Sequence, residues 1–135
     1  MSEERRRMSK IVVVVCIAIP IALLHFVTGS SYAGPYPVFV NGYLLDILLP
    51  LSFYFLLSLS EFYSLNSWVV KATLVFGAAA LVEVTQSFGV PLFGRTYDPI
   101  DLIMYGLGTS FAVFLDMVAF PRIFGFWKTK TKVTI

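Results

Sequence analysis

Seven side chains could carry chemistry in a chain that is otherwise apolar: His25, Asp46, Glu83, Gln86, Arg95, Asp98 and Asp101. Most of them crowd into residues 81–108, LVEVTQSFGVPLFGRTYDPIDLIMYGLG. Glu83 and Gln86 are three apart, which stacks them on one face of a helix. No lysine or arginine follows Glu83 at the spacing of an intrahelical ion pair, and Arg95 is the only cation on its side of the chain's charge pattern. A carboxylate with a guanidinium partner can serve as acid and base, or as a ligand for a polar headgroup. In such a site Arg95 holds an anionic group through two parallel hydrogen bonds. Asp98 and Asp101 then orient Arg95 or share a proton with Glu83, and Gln86 fixes the Glu83 rotamer. Plainer roles compete with these. Asp98-Pro99-x-Asp101 is also a helix start, with Asp98 as N-cap and Pro99 in the first turn. A Glu83–Arg95 pair can be purely structural, and His25 near a helix end can be an interfacial residue.

The elements that position these groups are membrane elements. The 135 residues are 58% hydrophobic and only 13% charged, about half the charge of a soluble domain. Mean hydropathy is +0.82. Four apolar runs, 11–28, 43–60, 68–88 and 99–120, are each about long enough to cross a bilayer. They form one domain, followed by a basic tail over 121–135. Pro20 predicts a kink in the first run. That run also resembles a secretory signal with a cleavage point after Ala33, and the expectation is that it stays uncleaved. Asp46 opens the second run, and Pro50 four residues later frees the carbonyl of residue 46. Residues 29–42 and 61–67 read as loops. Gly77-Ala78-Ala79-Ala80, and Gly106 with Ser110, predict a close contact between the third and fourth runs. Cys16 reads as a buried, inert apolar residue, and Trp127 as an interfacial anchor.

Charge sets the orientation. Arg5, Arg6, Arg7, Lys10, Lys71, Arg122, Lys128, Lys130 and Lys132 fall on one side, and Arg95 alone on the other. The positive-inside rule then puts both termini in the cytoplasm. The expected fold is an all-α, polytopic bundle of four transmembrane helices in the cell membrane. Its seven polar groups share one shallow layer on the outer side, where intramembrane ionisable groups ordinarily mark a site. Glu61, Lys71 and Asp116 lie on the inner side close to helix ends, with no role expected of them.

Glu83-x-x-Gln86, Arg95-x-x-Asp98-x-x-Asp101 and then Gly108 together resemble the signature of VanZ-like membrane proteins, a family named for a protein linked to teicoplanin resistance. The resemblance covers the C-terminal half, to Asp116. The sequence departs from the family pattern at Tyr105, where an asparagine is usual, and at Ala112, where a second glycine is. It departs again in the second run, where Asp46 and Leu49 stand in place of a lysine and a histidine. The resemblance implies an envelope-facing membrane protein that handles cell-wall or glycolipid material.

Other classes find little here. No phosphate loop, nucleophile elbow or paired-cysteine motif occurs, and no basic stripe suits nucleic acid. A metal site of His25, Asp46, Glu83 and Asp101 lacks any recognised ligand spacing. No cofactor is expected, and the expected partners are membrane lipids or a polar-headgroup substrate. Whether the chain is an enzyme stays open. Two rivals stay open as well: a small transporter or carrier subunit, and a structural or assembly protein whose polar layer only locks the helices together.

Overall fold

The computed structural model describes residues 2–27, 32–89 and 98–127, and these are all helix, turn or irregular segment. Helix α1 runs Glu3–Val27, α2 Pro37–Gly42, α3 Leu44–Leu57, α4 Trp68–Ser87, α5 Pro99–Phe114 and α6 Phe120–Ile123. A 3₁₀ turn, Tyr63–Asn66, precedes α4, and a π-helical turn, Leu115–Ala119, joins α5 to α6. Among the described residues, three stretches are long and apolar enough to cross a membrane: Glu3–Phe26, Trp68–Ser87 and Pro99–Ile123.

The helix starts follow local chemistry. The Ser2 hydroxyl accepts from Arg5 N at 3.3 Å, and Glu3 and Glu4 sit at the positive end of the α1 dipole. Arg5, Arg6, Arg7 and Lys10, which precede the apolar run 11–28, are thereby wound into the first turns of α1, which then continues through Pro20. At α5, Asp98 Oδ1 accepts from Ile100 N at 3.0 Å with Pro99 in the first turn, the cap read from the sequence.

Two expected boundaries change. The loop 29–42 contains α2, whose Pro37 presets the backbone dihedral of the first helical turn. The second run yields α3, which has 14 residues and ends at Leu57 rather than Ser60. At 1.5 Å per residue α3 is about 21 Å long, short of a hydrocarbon core of roughly 30 Å. It ends because Ser58, Leu59 and Ser60 donate to carbonyls three residues back, the tighter 3₁₀ pattern, which winds the helix out.

The α5 ending has a different cause. Pro121 has no N–H and crowds the carbonyl four residues before it. The widened π turn accommodates this: Phe120 N bonds to the Leu115 carbonyl, five residues back, and the chain stays helical to Ile123.

Helix α3 packs against α1, α4 and α5. Val14, Leu51, Tyr54, Phe55, Val75, Ala112 and Phe120 form a core around it. Apolar side chains on the outer faces, such as Val12, Ile19 and Leu23 of α1 and Ile103, Leu107 and Phe111 of α5, are exposed, as suits helices that face lipid. Cys16, expected to be buried, is exposed. It lies about 200° around α1 from Val14, at 100° per residue, and Val14 and Ile21 are the buried residues α1 turns inward.

The closest helix approach is also not the expected one. A Cβ built on Gly77 meets nothing within 4 Å, and one on Gly106 comes no nearer than 3.6 Å to Phe76. A Cβ on Gly108, in contrast, would overlap the backbone carbonyl of Ile47. Gly108 therefore sets the spacing of α3 and α5, and with it the approach of Asp46 to the α5 side chains. Gly108→Ala is expected to destabilise the protein by about 1–3 kcal/mol, the cost of an overpacked contact. Gly77→Ala is expected to be neutral or slightly stabilising. Thermal melts of the two variants in detergent check this, and equal melting temperatures would remove Gly108 from that role.

Candidate functional site

Three helices deliver carboxyl groups to one end of the bundle. Asp46 comes from the first turn of α3, Glu83 from the last turns of α4 and Asp101 from the first turn of α5. They are 2%, 1% and 5% exposed, values that put all three out of contact with solvent or headgroups in this conformation. The Asp46 and Asp101 carboxyls lie within hydrogen-bonding reach of each other. A hydrogen bond between two carboxyl groups needs a proton to share. Tyr105, one turn after Asp101, donates its hydroxyl to Glu83 Oε1 at 3.2 Å. Thr109 donates to the Tyr105 carbonyl at 2.8 Å. Glu83 Oε2 is buried and has no hydrogen-bond partner among the described residues. A buried carboxylate oxygen in that condition is costly, and it is the place where a donor from outside the cluster would bind.

The remaining residues of the expected site divide. Gln86 is buried one turn beyond Glu83, in the same layer. Asp98 is half-buried with both oxygens engaged: Oδ1 caps α5, and Oδ2 accepts from the Tyr43 hydroxyl at 3.2 Å. His25 is exposed and packs edge-to-face on Phe26, with ring centroids 5.9 Å apart. Arg95 lies outside the described residues. Among the described residues no three His, Cys, Asp or Glu side chains are grouped so as to hold a metal ion.

Tyr105 entered the sequence reading only as a departure from a family pattern. Its spacing held the usable signal, because a residue four after Asp101 shares its helix face. Asp101, Tyr105 and Thr109 all lie on this face, and all three are buried.

A second polar cluster occupies the opposite end of the bundle, where no site was expected. Lys71 Nζ meets Asp116 Oδ2 at 2.9 Å, with side chains 5% and 13% exposed. Tyr54 donates to the same oxygen at 2.6 Å, and Trp127 Nε1 donates to Asp116 Oδ1 at 2.9 Å. Lys71 also bonds Ser58 Oγ at 3.0 Å and lies 4.6 Å from the Tyr54 ring centroid. Lys10 of α1 approaches the Trp127 ring, 5.4 Å from its centroid. Trp127 is thus not an interfacial anchor: it is 3% exposed and bonded inside the bundle. Glu61, in contrast, forms an exposed pair with Arg7 at 2.7 Å, the kind that contributes little.

The two clusters differ in completeness. Every Asp116 oxygen and the Lys71 ammonium have partners, whereas Glu83 keeps an orphaned oxygen among the described residues. The Lys71–Asp116 network is therefore a structural lock, and the Asp46–Glu83–Asp101 layer is the candidate site. No family model matches this chain, nor does any curated protein or solved structure.

The lock makes a checkable demand. Lys71→Leu strands a buried carboxylate and is expected to cost about 3–5 kcal/mol. The double substitution Lys71→Leu with Asp116→Leu is expected to recover most of that loss, because replacing both charges by apolar side chains is often neutral. Melting temperatures of the single and double variants in detergent measure the difference. A double variant no more stable than the single one would show that charge pairing is not what holds this end.

Proposed function

We propose that this chain is a VanZ-like, multi-pass protein of the cell membrane that binds or acts on the polar headgroup of an envelope glycolipid. All four apolar runs cross the bilayer in this reading, with both termini cytoplasmic and the Asp46–Glu83–Asp101 layer just inside the extracytoplasmic face. The short α3 is the second crossing, with Leu49, Phe53 and Leu56 on its outward face toward lipid.

The observation that carries the reading is the buried Glu83 Oε2 atom, without a partner among the described residues, in a layer built of hydrogen-bond acceptors. Carboxyl oxygens presented together select for hydrogen-bond donors, and saccharide hydroxyls are donors of that kind. Two further points support it. The order Glu83, Gln86, Asp98, Asp101 and Gly108 resembles the family signature. Tyr105, which replaces the usual asparagine, still offers its hydroxyl to Glu83. Arg5, Arg6, Arg7, Lys10, Lys71 and Arg122 all belong to the opposite end, which the positive-inside rule assigns to the cytoplasm.

The structural reading keeps one observation in its favour: Tyr105–Glu83 and Tyr43–Asp98 each tie helices or their ends together. Stability separates the two. If the layer only locks helices, Glu83→Gln lowers the melting temperature and activity falls only in proportion.

Two outcomes are expected. Reporter domains fused to either terminus should both report from the cytoplasm, and termini found on opposite sides would end the four-span arrangement. Expression of the wild-type chain in a Gram-positive host should raise the teicoplanin concentration that the host tolerates. Glu83→Gln and Asp101→Asn should abolish that increase at unchanged membrane levels and melting temperatures. Variants that protect as well as wild type would refute the site.

A further inference from the structure

The inward face of α1 ends in two cations. Arg6, Lys10, Val14, Ile17 and Ile21 follow one another at spacings of four, four, three and four, one continuous stripe along a helix. Val14 and Ile21 belong to the buried core, and Ile17 packs against it. Arg6 and Lys10 carry the same stripe out to the foot of the bundle, where both are half-buried. Cations turned inward ordinarily meet a carboxylate. Among the described residues the ion pairs are Arg7–Glu61 and Lys71–Asp116, and neither Arg6 nor Lys10 takes part in one. Arg6 Nε is buried and has no hydrogen-bond partner among the described residues. Lys10 Nζ faces the Trp127 ring, 5.4 Å from its centroid.

The charges at this foot do not balance. Those that bear on Lys10 are Asp116, Lys71 and Arg6. Asp116 is already engaged, because Oδ2 accepts from Lys71 and Tyr54 and Oδ1 accepts from Trp127. Three cations therefore stand around one carboxylate. The rest of the sequence adds no remedy: no Asp or Glu follows Asp116, and the tail brings Lys128, Lys130 and Lys132. Arg5 and Arg122 are exposed, so water can solvate them. Arg6 and Lys10 are partly withdrawn from water, and their excess charge calls for an anion from outside the chain.

We infer that the phosphate of one anionic phospholipid of the cytoplasmic leaflet binds between Arg6 and Lys10, beside Trp127. Arg6 supplies a planar fork of donors that includes the unpartnered Nε, and Lys10 supplies a compact positive charge. The leaflet follows from the cytoplasmic placement of the termini, on which this inference rests, and it does not depend on the Glu83 site. Anionic headgroups are concentrated on that surface. The source is a lipid rather than free phosphate because α1 exposes Met8 and Val12 on the same turns, an apolar flank that lipid chains cover.

Native mass spectrometry of the full-length protein in a nonionic detergent tests this. Dioctanoyl phosphatidylglycerol is expected to add as one molecule, with an affinity about tenfold above that of dioctanoyl phosphatidylcholine. Excess inorganic phosphate is expected not to displace it. Arg6→Gln and Lys10→Gln should each weaken the preference, and together they should abolish it. Lys10→Arg should retain it. Replacing Lys128, Lys130 and Lys132 by Gln should leave it in place. Melting temperatures identify any variant that fails to fold, and Arg6→Gln, one turn from the helix start, provides a second folded comparison.

Equal affinity for the two lipids overturns the inference. So does a preference that survives the Arg6→Gln, Lys10→Gln pair and vanishes with the tail lysines, because the tail would then be the binder. Displacement by inorganic phosphate assigns the site to a soluble anion and overturns the lipid. Reporter fusions that place the termini outside overturn the leaflet even where binding at Arg6 and Lys10 persists in detergent, so that failure is told apart from failure of the site.

Discussion

The buried ion pair between Lys71 and Asp116 is the constraint on which the rest of the bundle depends. Two opposite charges inside a membrane protein are tolerable only if every hydrogen-bonding position is filled. Filling them recruits four parts of the chain. Asp116 is bonded by Lys71 from α4, by Tyr54 from α3 and by Trp127 from beyond α6. Lys71 also holds Ser58, just past the end of α3. The end of α3, the first turn of α4 and the segment after α6 are thus held together around one ion pair. Lys10 over the Trp127 ring brings α1 to the same point.

With one end pinned, the other can carry an incomplete polar layer. Gly108 brings α5 against the α3 backbone at Ile47, so Asp46 reaches Asp101. The Asp98 cap fixes where α5 begins, and Tyr105 reaches Glu83. Asp101 and Asp116 lie about 22 Å apart along the helix at 1.5 Å per residue. The two layers are therefore separate, joined by apolar packing around Tyr54, Phe55 and Val75. Completeness at one end, and an oxygen orphaned among the described residues at the other, separate the clamp from the candidate site.

What could be read from sequence was local. Asp98-Pro99 announces a helix start because a cap involves neighbours in the chain, and the structure contains that cap. Long apolar stretches announce helices for the same reason: of the four expected spans, three are long and apolar enough to cross a membrane among the described residues, and the second, α3, is shorter. The depth of Glu83, Asp46 and Asp101 could be counted along their helices, so their shared layer was legible. Tertiary choices were not. Gly106 with Ser110 looked like the contact face, yet Gly108 makes the close approach, because small-residue spacing names a possible face and not the neighbour that occupies it. Lys71 and Asp116 looked like charges near helix ends, since nothing local in 45 residues of separation shows that they meet. The α3 boundary was missed because its end depends on a 3₁₀ turn and not on composition. Arg95, the cation the sequence pairs with Glu83, falls outside the described residues.

The π turn at Leu115–Ala119 has a consequence for how this chain can change over time. It holds one residue more than an α-helical turn would. The widened turn absorbs that residue, so Phe120 and Trp127 keep the facing they would have after an unbroken α-helix one residue shorter. Loss of one residue other than Asp116 from this stretch therefore restores ordinary winding and leaves Phe120 in the core and Trp127 beside Asp116. The same loss within the regular part of α5 turns everything downstream through about 100°.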